Sequence, residues 1–158
     1  ATKQLAMCKN KNYDERLRML NLPCLTYRKL RGDLIETFKL LSDYYDSDVE
    51  NPLLQNINAD KRTRGHKLKL RKNINRNSIA IRRRFFTNRI VNFWNDLPDK
   101  VITAPSVASF ERRLDIHWSK FNIRFDYDKC CTFIDQMQSG VGCLNLIEHN
   151  LLINDLDI

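Results

Sequence analysis

Tyr27, Leu30, Leu34, Phe38 and Leu41 recur every three or four positions and Ile35 widens the stripe, which predicts a helix over 26–42 with one buried face. A second stripe, Phe86, Ile90, Phe93, Trp94 and Leu97, predicts a helix over 85–96 that Pro98 stops. The aromatics of this stripe, Phe86, Phe93 and Trp94, are read as core. A third stripe, Val107, Phe110, Leu114, Trp118 and Phe121, follows a capping Ser106 and predicts a helix over 106–120. The run YDERLRML carries acids in a first turn and sets Leu17 and Leu20 on one side, predicting a short helix over 13–20. Gly32 interrupts the 26–42 stripe at a cost of about 1 kcal/mol relative to alanine, which suggests a close neighbour there.

Between the first two stripes the period changes from helical to alternating. Lys67-Leu68-Lys69-Leu70-Arg71 alternates strictly and Ile79-Ala80-Ile81-Arg82 more weakly, so a hairpin is predicted near 66–83 with NINRNS as its loop. Two strands alone are marginal in water, so their Leu and Ile faces must rest on the helices. Residues 42–61 are polar and acidic and read as a connector. Beyond Asn122 the pattern weakens until Leu144, Ile147, Leu151 and Leu152 suggest one short helix. The predicted fold is mainly α with a small β-hairpin: a compact helical domain over 1–121 and a loosely attached C-terminal tail over 122–158.

Charge changes this picture more than composition does. Residues 61–95 hold twelve Lys or Arg and not one Asp or Glu, while residues 1–60 balance nine of each sign and residues 96–158 hold six basic and ten acidic side chains, so the chain's positive excess arises wholly in this window. A solvated surface normally intersperses both signs, because a single-sign field repels itself. A bound polyanion offsets that repulsion, and a nucleic-acid backbone is the partner this favours. The candidate phosphate contacts are Arg62, Arg64, Lys67, Lys69, Arg71, Lys72, Arg76, Arg82, Arg83, Arg84 and Arg89. Alternation throws Lys67, Lys69 and Arg71 to one side, a ladder that can track a phosphate backbone without reading its bases.

Other chemistry is sparse. The sequence has no Gly-rich phosphate loop, no HExxH, no G-x-S-x-G and no C-x-x-C. Its carboxylates are not gathered as a two-metal site requires, so no catalytic residue and no cofactor are predicted. Cys130, Cys131, Cys143 and His149 lack the paired spacing usual for tetrahedral zinc, and no metal site is assigned. Five scattered cysteines point to reduced thiols inside the cell, in cytoplasm or nucleus. No apolar run approaches the ~20 residues of a membrane span, so no membrane partner is expected.

Several stretches carry a resemblance: ATK at 1–3, YDERLRMLNLP at 13–23, YRKLRGDLIETFKLL at 27–41, TRGHKLKL at 63–70, FFTNRIVNFWNDLP at 85–98 and APSVASFERRLD at 104–115. In order and spacing they resemble the region that follows the catalytic palm in reverse transcriptases of LINE-type, jockey-like retrotransposons lacking long terminal repeats. RGDLIE and WNDLP are the most specific pieces, and the likeness fades after about residue 120. The resemblance implies a thumb-like segment of a multidomain protein, with the palm and other domains of the parent polyprotein as partners. The palm's aromatic-x-Asp-Asp motif is missing from these residues, so no polymerase activity carries over. The expectation is a non-catalytic module gripping template and primer as RNA, DNA or hybrid; the alternative is an element-derived protein-interaction or scaffold module.

Overall fold

The computed structural model describes residues 2–42, 44–46, 66–73, 82 and 84–140, and they form a mainly helical protein. Two short 3-10 turns, Thr2–Gln4 and Ala6–Cys8, lead into α1 (Tyr13–Met19) and α2 (Leu25–Leu41). After the segment 66–73 come α3 (Phe86–Arg89), α4 (Val91–Asp96), α5 (Asp99–Ile102), α6 (Val107–Ser119) and α7 (Tyr127–Ser139).

Local chemistry sets the ends of these helices. Asn12 and Glu15 form a capping box at α1: the Asn12 side-chain oxygen accepts from the Glu15 N–H at 2.8 Å, and the Glu15 carboxylate accepts from the Asn12 N–H at 3.0 Å. The Cys24 thiol caps α2 by accepting from the Tyr27 N–H at 3.4 Å. Ser106 and Asp126 cap α6 and α7 through the N–H groups of Ser109 and Lys129. Gly140 ends α7 at φ +94°, a conformation that side chains with a Cβ rarely adopt.

Helix α2 lies at the centre and packs against α4, α6 and α7, with α5 seated on α6 and α7 also on α4. The stripes read from the sequence converge here: Leu34, Ile90, Trp94, Phe110 and Leu114 are fully buried. Phe38 stacks on Phe110 with ring centroids 4.4 Å apart, and Tyr27 meets Trp118 edge-on at 5.5 Å. Burial of each such side chain stabilises the fold by about 1.5–3 kcal/mol.

The structure departs from the sequence reading at several points. The single helix predicted over 85–96 is interrupted at Ile90, although Ile90 keeps right-handed backbone angles and is itself buried. Of the hairpin expected near 66–83 the described residues show Leu70 as a bridge residue and no strand, and its loop and most of its second strand, residues 74–81, lie outside the described residues. The first part of the stretch expected as a tail is packed, since Ile123, Cys130, Phe133 and Met137 join the core and α7 packs on α2 and α4, while residues 141–158 lie outside the described residues. Gly32 has no close neighbour, since a Cβ there would meet nothing within 4 Å. The helix expected around Leu144 to Leu152 lies outside the described residues. Among the described residues no helix is long and apolar enough to cross a membrane.

Candidate functional site

The basic segment 66–73 is held against α3 and α4 through its backbone, which leaves its charged side chains to point elsewhere. Asn95 at the end of α4 does most of this. Its side-chain oxygen accepts from the Leu70 N–H at 2.8 Å and its amide donates to the Leu70 carbonyl at 2.8 Å, as a neighbouring strand's peptide would. The buried Trp94 indole donates to the Leu68 carbonyl at 2.7 Å, and Leu70 itself enters the core. The alternation read from the sequence is realised only in part: Leu70 is buried and Lys67 and Arg71 are exposed, while Leu68 and Lys69 are both half-buried.

Asn88 closes the other end. Only 4% of it is exposed, its side-chain oxygen accepts from the Asn73 N–H at 2.9 Å, and its amide donates to the Arg82 carbonyl at 3.0 Å. One buried amide thus brings residues 73 and 82 together. Asn88, Asn92 and Asn95 fall on one side of α3 and α4 at helical spacing, and each bonds to the backbone of another segment. Asn92 donates to the carbonyls of Met137 and Gln138 at 2.8 and 3.1 Å, fastening the last turn of α7. Sequence reasoning missed these asparagines; the signal for them is their spacing within NRIVNFWN, a polar stripe on an otherwise aromatic helix.

His66 sits at the start of the segment, buried edge-on to the Trp94 ring at 6.1 Å. Its Nε2 lies 3.1 Å from the Trp94 carbonyl, which can only accept, so Nε2 carries the hydrogen. Burial, reinforced by Lys69, pushes its pKa down against the weaker opposing pull of the Trp94 carbonyl and Asp99. The ring is neutral, and its buried Nδ1 has no partner among the described residues.

The predicted contacts divide into three groups. Lys67, Arg71, Lys72, Arg82 and Arg84 are exposed and Lys69 half-buried, all on or beside the pinned backbone. Among the described residues, Lys67, Arg71, Arg82 and Arg84 face no carboxylate within ion-pair distance. Arg89 is differently placed: its Nε and Nη2 grip both Asp33 oxygens at 2.9 and 2.8 Å, and Nη1 donates to the Arg84 carbonyl at 3.0 Å. The Asp33 hydrogen bonds hold the Arg89 pKa above its usual value, so this predicted contact is committed inside the fold. Arg62, Arg64, Arg76 and Arg83 lie outside the described residues.

The opposite side of α2 carries a second neutralised arginine. Arg31 donates to both oxygens of Asp115 at 2.8 and 3.0 Å and to Glu111 at 3.2 Å, while the Tyr27 hydroxyl reaches Asp115 at 3.3 Å. Burial, with the Asp115 charge behind it, pushes the Tyr27 hydroxyl up to about 12. A cleft of about 430 Å³ opens beside this cluster, lined by Arg18, Arg124 and Lys129 together with Asp115 and Asp126, so its charges largely cancel. Among the described residues no group of His, Cys, Asp or Glu is arranged to hold a metal ion; Cys143 and His149 fall outside them. Comparison with protein-family models, curated proteins and solved structures gave no match.

Proposed function

We propose that this chain holds nucleic acid, gripping the phosphate backbone through the ribbon that runs from Lys67 to Asn73 and resumes at Arg82 and Arg84. The observation that carries this reading is that cations of the acid-free window left unpaired among the described residues stand together on one fastened stretch of backbone. Arg31 and Arg89 have carboxylate partners within the fold, whereas Lys67, Arg71, Arg82 and Arg84 stand on a fastened backbone without one among the described residues. Phosphates supply the missing counter-charge, and a backbone fixed beforehand lowers the ordering cost of binding them. The resemblance to the post-palm region of LINE-type reverse transcriptases supports the same role, a thumb-like grip on template and primer that is non-catalytic by itself. The test is a titration of the chain against an RNA–DNA hybrid, duplex DNA and single-stranded RNA over rising salt. Four phosphate contacts give a log–log slope of about −3 to −4. A flat response overturns the proposal.

A further inference from the structure

The aromatic side chains single out one position beside the ribbon. The sequence has eight Phe and two Trp, all of them described, and Phe85 alone among these ten is exposed, at 54%. Its setting is not that of a stray surface residue, because its backbone is fastened on both sides. The Phe85 N–H donates to the Arg82 carbonyl at 3.3 Å, and its own carbonyl accepts from the Asn88 and Arg89 N–H groups at 3.0 and 2.9 Å. The flanking carbonyls are fixed too, that of Arg82 by the Asn88 amide and that of Arg84 by the Arg89 guanidinium. Phe85 therefore projects a large apolar ring from a rigid base, with the exposed Arg82 and Arg84 just before it in the chain.

We infer that Phe85 stacks on an unpaired nucleobase, so that the ribbon takes a single strand, or an unpaired end, in preference to continuous duplex. This rests on the proposed grip on phosphates. An aromatic face presented beside cations is what single-strand binders use: the cations track the backbone while the ring meets the flat face of any base. In continuous duplex those faces are covered by neighbouring base pairs, and the ring finds no partner except at an end. Stacking of this kind is indifferent to base identity, so the preference is for strandedness and not for sequence.

The test uses the full chain, a fluorescein-labelled oligothymidylate and a labelled blunt duplex of matched length, read by anisotropy at one low salt concentration and again over a salt series. Phe85→Ala is expected to weaken the oligothymidylate complex roughly 5- to 100-fold while changing the duplex complex less than about twofold. Phe85→Trp is expected to retain single-strand binding, and its added indole emission is quenched when a base stacks on it, against the constant background of the buried Trp94 and Trp118. Circular dichroism of both variants confirms that the helices are intact. If Phe85→Ala leaves single-strand affinity unchanged, or lowers both complexes equally, while the wild-type salt dependence stays steep, the stacking inference is overturned and the phosphate grip stands. If the wild type shows no salt-dependent binding to either oligonucleotide, the grip itself fails and the inference falls with it.

Discussion

Two arginine-bearing regions of this molecule are built on opposite plans. Around α2, Arg31 is paired with Asp115 and Glu111 and Arg89 with Asp33, each through bidentate hydrogen bonds to a carboxylate from another helix. Along 66–73 and at Arg82 and Arg84 the cations sit on a backbone secured largely by neutral amides and an indole, and no acid is interleaved with them. In the first region charge fastens helices to one another. In the second, Lys67, Arg71, Arg82 and Arg84 are left without a carboxylate partner among the described residues after the backbone has been fastened by other means, a self-repulsion that the proposed anionic partner would offset. Counting cations is thus a poor guide to a binding surface, and asking how each one is neutralised is a better one.

The two plans separate most cleanly when each region is neutralised in turn. Replacing Lys67, Arg71, Arg82 and Arg84 together by Gln is expected to lower the salt slope of nucleic-acid binding by about 3. The same change should leave stability within about 0.5 kcal/mol, since exposed charges contribute little to folding. Arg31→Gln should do the reverse, costing about 1–2 kcal/mol in a denaturant titration by leaving Asp115 and Glu111 without their shared cation, with the salt slope unmoved. If both variants lose affinity alike, the division into scaffold and ribbon is wrong.

Removing the fastening instead of the charge is the next test. Asn88→Ala leaves the Asn73 N–H and the Arg82 carbonyl without their buried partner, at a cost of about 1–3 kcal/mol. Nucleic-acid affinity should fall as well, although the formal charge is unchanged, because the two parts of the ribbon are no longer held together. Unchanged affinity in a variant that is measurably less stable would show that the ribbon works without being fixed.

How far the sequence itself discloses this arrangement depends on which interactions leave a periodic trace. The stripes through Leu34, Trp94, Phe110 and Leu114 are legible because burial of one helix face imposes a repeat of three and four residues. Helix α7 is less so: its inward face begins with Cys130 and continues with Phe133 and Met137, a thin stripe in a polar, acidic stretch, and the sequence there reads as a tail. The cationic window is visible because it lacks acids. The fate of Arg89 is not, since its partner Asp33 lies far off in the chain and only packing brings them together. The asparagine fastening is only half legible for a related reason: the spacing of Asn88, Asn92 and Asn95 marks a polar stripe, but the distant backbone groups they hold leave no trace in the sequence. The alternation over Lys67–Arg71 marks Leu70 as buried and Lys67 and Arg71 as exposed but does not separate Leu68 from Lys69, both half-buried, and among the described residues it is Asn95 that pairs with the Leu70 peptide.

Titration probes the join between ribbon and scaffold at His66. Burial lowers the pKa of His66, and likewise that of His117, so the unfolded chain binds these protons more readily than the folded one. Stability from this source is fully present above the unfolded histidine value near 6.5 and is lost as pH falls below it. The melting temperature should therefore drop between neutral pH and about pH 5, and His66→Gln and His117→Gln should each flatten part of that drop. A melting temperature indifferent to pH over this interval would mean that neither ring is held neutral by burial.

The smallest effect tests whether the scaffold can be altered in isolation. Gly32 lies on the exposed side of α2 between Arg31 and Asp33, the anchors of the two neutralised arginine clusters, and an added Cβ meets nothing within 4 Å. Alanine in this helical position loses less backbone entropy on folding, so Gly32→Ala should stabilise the protein by about 0.5–1 kcal/mol, a rise of about 1–4 °C in melting temperature. Its effect on nucleic-acid affinity should be nil if the neutralised region serves only to hold the helices. A direct polar route does run from α2 to the ribbon through the Asp33–Arg89 pair, whose remaining Nη1 holds the Arg84 carbonyl. A change in affinity on stiffening α2 would therefore trace to that link.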